Sequence, residues 1–270
     1  MPSTLAEVKG DALFFMFKGE PGTRKSTQAL GFPTPQYWFS HDKHMHSLVL
    51  PMKKWGIDAK QVHFDNYTDW AAMEVKLKQF QEKCPYKTLV VDSITSQGDS
   101  INDQTIQLKG LQKTAEGGDA AARKIGGIEV NSLEDYKAEA TAFRDSIAYL
   151  KDISQFHKVN VILIAHVVGS RPNEAANSSY FTRIVVTGGK VISAKIPAYC
   201  EEIYHFYVEP NVDTKKEGTY ALITRNNGSD YARTGLPLPQ KIEFGDNQLY
   251  ERWVKPAIIQ LDNEKPVSKF

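Results

Sequence analysis

Short apolar runs alternate with amphipathic stretches along this chain, the pattern of an α/β fold. Leu13 to Phe17 reads as a first strand. A helix opens at Lys25; Pro33 and Pro35 close it and introduce a second strand at Tyr37-Trp38-Phe39. Val62-His63-Phe64 reads as a short strand. Thr68 to Gln81 reads as a helix capped by Thr68 or Asp69, with Trp70, Met73, Leu77 and Phe80 on one face. Thr88 to Val91 and Val159 to Ala165 are continuous β-branched and apolar runs, as expected of buried parallel strands; the second ends in His166. Between them, Ser132 to Phe156 has helical periodicity, with Ser132 and Asp135 at capping-box-like spacing. Strands are predicted at Thr182 to Val186, Ile203 to Val208 and Tyr220 to Thr224, with a hairpin signal at Asn227-Gly228.

Two stretches break the pattern. Residues 96–131 are rich in Gly, Gln, Asp and Lys and read as a mobile insertion with room for a helical piece. The segment after Pro239 is short, mixed and interrupted by proline. The predicted organisation is a core over 1–240 that carries this insertion, followed by a C-terminal tail over 241–270.

Composition narrows the function classes. A chain of 270 residues, 41% of them hydrophobic, can bury the core of one large domain. Its formal net charge is only +1, so it is no polycation, and nucleic acid would have to meet a local patch or an assembly. Cys84 and Cys200 show no metal-ligand spacing and read as reduced thiols. The apolar stretch Ala12 to Phe17 is too short to span a bilayer, and no signal peptide is legible. The expected location is cytoplasmic, with no membrane partner.

The chemistry begins at Gly19-Glu20-Pro21-Gly22-Thr23-Arg24-Lys25-Ser26-Thr27, a phosphate-binding loop between a strand and a helix. Glycines in such a loop let backbone amides turn inward on phosphate oxygens, and the following helix points its positive end at them. Lys25 would neutralise the β- and γ-phosphates of ATP, and the Ser26 hydroxyl would ligate Mg²⁺. Arg24 departs from the pattern, which has glycine in that slot; if the backbone there needs a positive φ, the departure strains the loop. Asp92, closing the strand Val90-Val91, reads as the second metal-holding group. The residue after it is Ser93 rather than Glu, so the group acting on the attacking water is sought elsewhere. Asp42, in Ser40-His41-Asp42, is the candidate and His41 its rival. The stretch after His166 holds Arg171, Tyr180, Phe181, Arg183, Lys190 and Lys195. Its mixture of cations and rings suits single-stranded nucleic acid.

With these residues in order, the chain resembles the RecA-like P-loop ATPases, and more narrowly those that phages encode for single-strand annealing and recombination. The likeness rests on Phe17 to Thr27, Thr88 to Ser93, Val161 to His166 and Tyr220 to Pro239. It implies a twisted, mostly parallel sheet flanked by helices, with antiparallel strands toward the C-terminal end, and ATP hydrolysis with Mg²⁺, stimulated by single-stranded DNA, in a bacterial host cell. It also implies a homo-oligomeric filament or ring, and a single-strand-binding protein as a further partner. Within the resemblance, His166 matches the residue that senses the γ-phosphate. Arg225 and Arg233 match basic residues offered to a neighbour's nucleotide. A helicase-like motor and a non-hydrolysing, nucleotide-stabilised assembly protein remain alternatives.

Overall fold

A computed structural model describes residues 12–115, 124–125, 128–129, 133–169, 182–185, 195–211, 213, 217–228 and 230–263. Six parallel strands form the centre of one sheet: β1 (Phe14–Gly19), β2 (Gln36–Ser40), β3 (Val62–Asn66), β4 (Thr88–Asp92), β7 (Asn160–Gly169) and β9 (Glu202–Glu209). β10 (Thr219–Ile223) and β11 (Lys241–Glu243) extend it antiparallel, giving the order β11-β10-β9-β1-β7-β4-β2-β3. β8 (Thr182–Ile184) pairs antiparallel with the far end of β7, and β5 (Lys124–Ile125) pairs with β6 (Ile128–Glu129) in a separate ribbon.

Alternation along β1 divides the core. Phe14 and Met16 join one cluster, under α3 (Trp70–Glu82), α4 (Ile94–Ala115) and α5 (Leu133–His157). Phe15 and Phe17 join the other, with α1 (Lys25–Leu30), α2 (Val49–Lys54) and the C-terminal segment. The second cluster is aromatic: Phe15 meets Phe32 edge-on at 5.0 Å, and Phe17 stacks on Tyr204 at 5.8 Å. α3 starts where predicted, its N-terminus capped by the Asp69 carboxylate, which accepts from the Ala72 amide at 2.8 Å.

Several expectations change. The polar composition from 96 onward does not prevent a helix: α4 runs from Ile94 to Ala115 and buries Ile94, Gln97, Ile101 and Asn102. The segment expected as a tail after 240 supplies β11 and, after a π-helical turn at Tyr250–Val254, the helix α6 (Lys255–Asn263). Phe244, Leu249, Val254 and Ala257 enter the aromatic cluster. β7 does not stop at His166 but continues to Gly169 and folds back as β8. Asn227-Gly228 makes no tight hairpin. The Asn226 carboxamide accepts from the Gly228 amide at 2.7 Å, inside the long connection from β10 to β11.

That connection is held by a buried carboxylate. Glu202 accepts from the Tyr204 hydroxyl at 2.8 Å, the Thr234 hydroxyl at 2.5 Å and the Gly235 amide at 2.7 Å. Glu202→Ala strands these donors, and we expect a loss of about 3 kcal/mol, each unpaired buried group costing about 1–3. A urea midpoint lowered at unchanged slope is the measurement; a loss under about 1 kcal/mol would mean that water replaces the carboxylate.

Candidate nucleotide site

The strand order sets the site. β7 lies between β1 and β4, with Gly19 level with His166 and Ser40 level with Asp92. The phosphate loop, His166, Asp92 and the segment after β2 therefore meet at the carboxyl ends of the parallel strands, where such sheets bind ligands. A cavity of about 870 Å³ opens there, lined by the loop from Pro21 to Thr27 and by His41, Asp42, Asp92, Ser96 and His166.

The loop is shaped by close approach. A Cβ on Gly19 would sit 2.2 Å from the Phe206 carbonyl oxygen, and Gly22 has φ 80°. The Lys25 amine folds back inside the loop, donating to the carbonyls of Gly19 at 2.9 Å and Glu20 at 2.8 Å. Burial lowers its pKa to about 8, against the pull of Asp92, Asp42 and Glu20. Arg24 adopts the left-handed conformation, φ 65° and ψ 24°. Its guanidinium donates to the Gly245 carbonyl at 3.0 Å and to Asp246 at 2.8 Å, and lies over the Tyr220 ring at 3.7 Å. Gln28 fastens the same C-terminal segment, accepting from the Leu249 amide at 2.7 Å and donating to the Asn247 carbonyl at 3.0 Å.

The acidic side is a network. The Asp92 carbonyl accepts from the amides of His41 at 2.7 Å and Asp42 at 3.1 Å, so β4 fixes the segment after β2. Burial and the neighbouring Asp42 raise the Asp92 carboxyl to about 6, against a hydrogen bond from Ser26 and the charge of Lys25. Asp42 behaves oppositely. Burial disfavours its charge, yet hydrogen bonds from His166, Ser96 and Ser93 outweigh that and bring it to about 2. The Ser93 hydroxyl is 3.0 Å and His166 Nε2 3.5 Å from its carboxylate. His41 is buried against Tyr67, and burial lowers its pKa to about 4; neither ring nitrogen has a partner among the described residues. The His166 amide donates to Thr95 Oγ1 at 3.1 Å, and that hydroxyl donates to the Val185 carbonyl at 2.8 Å, tying His166 to β8.

Lys25, Ser26, Asp42, Asp92 and His166 thus share one cavity. Arg225 and Arg233 do not line it: both are exposed, Arg225 just after β10 and Arg233 bridged to Ile203. Arg171, Tyr180, Phe181 and Lys190 lie outside the described residues; Arg183 is placed only through its backbone in β8. Sequence reasoning missed Ser93 and Ser96, whose signal is hydroxyls three residues apart across the first turn of α4.

The ion chemistry fits Mg²⁺. A buried carboxylate and a hydroxyl in mutual contact are hard oxygen ligands, and Mg²⁺ takes its remaining ligands from phosphates and water. On the other face of β1, buried Lys18 has its pKa lowered to about 8 by burial, despite Asp230. Its folded pKa lies below the unfolded 10.5, so its unfavourable contribution is full below pH 8 and fades as pH rises toward 10.5. Lys18→Met is expected to exceed the parent in stability at pH 7, and the gap in urea midpoint should narrow by pH 10; a gap constant with pH would exclude this account.

A family model described as AAA domain matches residues 13–234. No curated protein matches the chain. Among solved structures, one titled crystal structure of the RadB recombinase superposes with a TM-score of 0.50 at 14% identity. The match covers 87% of this chain and 89% of that one. The likeness shows a RecA-like P-loop fold: a mostly parallel sheet flanked by helices, with antiparallel strands at its C-terminal side. Among the described residues no helix is long and apolar enough to cross a membrane.

Proposed function

We propose that this chain, which belongs to the AAA domain family, binds ATP with Mg²⁺ and hydrolyses it, acting on single-stranded DNA in recombination or replication of the phage type. The observation that carries this is the convergence of a lysine-bearing phosphate loop, a buried acid and a second acid–histidine pair in one cavity. Lys25 exchanges its two carbonyl partners for the β- and γ-phosphates. Ser26 and Asp92 hold Mg²⁺, which when bound neutralises charge on the phosphate oxygens. Asp42, with its pKa near 2, is too weak a base to store a proton at neutral pH. Its role is to orient the attacking water by accepting a hydrogen bond from it. His166, in contact with Asp42, lies where it can meet the γ-phosphate.

The segment beyond His166 supports the DNA reading. β7 and β8 pair there, and the connection between them, 170–181, carries Arg171, Tyr180 and Phe181, with Arg183 in β8 and Lys190 beyond. Cations that meet phosphates beside rings that stack on bases suit a single strand. The similar structure is titled a recombinase, which favours recombination over a helicase-like motor. Exposed Arg225 and Arg233, away from the cavity, are available to the nucleotide of an adjacent copy in a filament or ring. The test is phosphate release from ATP by the purified chain, with Mg²⁺ or a chelator, with and without single-stranded DNA. Turnover that requires Mg²⁺ and rises with DNA is expected. ATP bound without turnover under any condition would replace this reading with a nucleotide-stabilised assembly protein.

A further inference from the structure

Beside the phosphate cavity lies a second one of about 380 Å³, and the two share Arg24, Thr27 and Ser47. Its lining is mixed: Leu50, Pro51 and Trp55 are apolar, and Arg24, Lys54 and Asp246 are charged. One turn fixes both flat groups, Arg24 and Trp55. Asp246 takes the Arg24 guanidinium at 2.8 Å and the Lys54 amine at 2.7 Å on its carboxylate, and the Trp55 indole N–H at 3.0 Å on its carbonyl. Arg24 rests on the Tyr220 ring and lines this cavity, whereas Tyr220 does not.

We propose that this cavity is the nucleobase subsite and that Arg24 is its stacking platform, which rests on the reading of the larger cavity as a nucleoside triphosphate site. A polyphosphate lying along the loop leaves it at Thr27, one of the residues common to both cavities, and the nucleoside then enters the slot. The base lies between the Arg24 plane and the wall of Leu50, Pro51 and Trp55, completing a stack of ring, guanidinium and base. Guanidinium groups stack on aromatic faces, and a slot of this volume is within the range of small-ligand sites. Beside Arg24, polar groups are engaged with one another: the Asp246 carboxylate with two cations, its carbonyl with Trp55 and the Gly245 carbonyl with Arg24. Discrimination therefore depends on stacking area rather than on the pattern of the base edge, and purines are taken over pyrimidines. This accounts for arginine where the loop pattern has glycine. The left-handed backbone is unfavourable for a residue with a Cβ, and the side chain supplies a surface that glycine lacks.

The experiment measures binding of ATP, CTP and inorganic tripolyphosphate, each with Mg²⁺, to the full chain, to Arg24→Gly and to Trp55→Leu, by calorimetry. Glycine at φ 65° is unstrained and keeps the loop amide; Arg24→Gly removes the platform together with the Asp246 ion pair and a charge beside the phosphate cavity, and the ratio of ATP to tripolyphosphate affinity cancels what those do to phosphate binding. We expect the parent to prefer ATP to CTP. We expect the ratio of ATP to tripolyphosphate affinity to fall about tenfold in Arg24→Gly and by a smaller factor in Trp55→Leu, as loss of base stacking does. An unchanged ratio in Arg24→Gly, or equal affinity of the parent for ATP and CTP, overturns the subsite while leaving the phosphate site standing. Failure of the parent to bind any of the three ligands overturns the nucleotide reading itself, and the subsite with it.

Discussion

Lys25→Met is expected to lower ATP turnover about 1000-fold while leaving the fold at least as stable as before. The amine is buried, and burial lowers its pKa from 10.5 to about 8. At neutral pH that displacement corresponds to about 3 kcal/mol spent on keeping the charge inside the loop. Methionine fills a similar volume without the charge, so the urea midpoint should hold or rise, even though the carbonyls of Gly19 and Glu20 lose their donor. Function moves the other way. Removing one preorganised group that faces developing charge costs about 100- to 1000-fold in turnover. Lys25 also supplies a full positive charge, so the upper end of that range is expected. Phosphate release and the midpoint, measured on the same preparation, separate the two effects. A variant that is inactive and unfolded would mean that the amine holds the loop together. A variant that is folded and active would remove Lys25 from the chemistry.

That opposition between site and fold also explains which features the sequence could disclose. The strands β4 and β7 are legible because both their faces are buried, which forces unbroken runs such as Leu89-Val90-Val91 and Val161 to Ala165. Lys25 and Asp92 are legible because a phosphate loop and a strand-end acid have fixed spacing. α4 is not, because its buried stripe includes polar side chains. Gln97 is fully enclosed and donates to the Ser146 hydroxyl at 3.1 Å and to the Met73 sulfur at 3.4 Å, so a helix partner, not apolarity, makes the position buried. The C-terminal segment is hidden for a related reason. Its anchors, Phe244, Leu249 and Val254, are five residues apart, matching the period of neither a strand nor a helix, and its place is fixed by Gln28 and Arg24, more than 200 positions earlier. Arg24 read alone looks like a defect in the loop. Its partners, Tyr220 and Asp246, come together with it only in the folded chain.

Asp42→Asn is the second change expected to act strongly, and it acts on a different step. The carboxylate is held near the cavity by the Asp42 amide on the Asp92 carbonyl at 3.1 Å, by the Ser93 hydroxyl at 3.0 Å and by His166 at 3.5 Å. Asparagine preserves size and one acceptor but brings an N–H₂ toward either Ser93 or His166, both of which now donate to the carboxylate. The amide must therefore abandon one of them, and the water it would orient is lost from its line. We expect turnover to fall about 100-fold, the loss that a misplaced reacting group costs. ATP affinity should hold or improve, because a negative charge beside the γ-phosphate is removed. Asp42 also raises the Asp92 carboxyl, so its loss favours the ionised form of Asp92. Single-turnover hydrolysis with separately measured ATP binding distinguishes this from a collapsed site. If Asp42 and His166 act as one unit, the double variant Asp42→Asn with His166→Ala should be scarcely slower than Asp42→Asn alone. Multiplicative losses would instead assign His166 an independent part. Turnover within about threefold of the parent in Asp42→Asn, well short of that loss, would pass the water-orienting role to its buried neighbour His41.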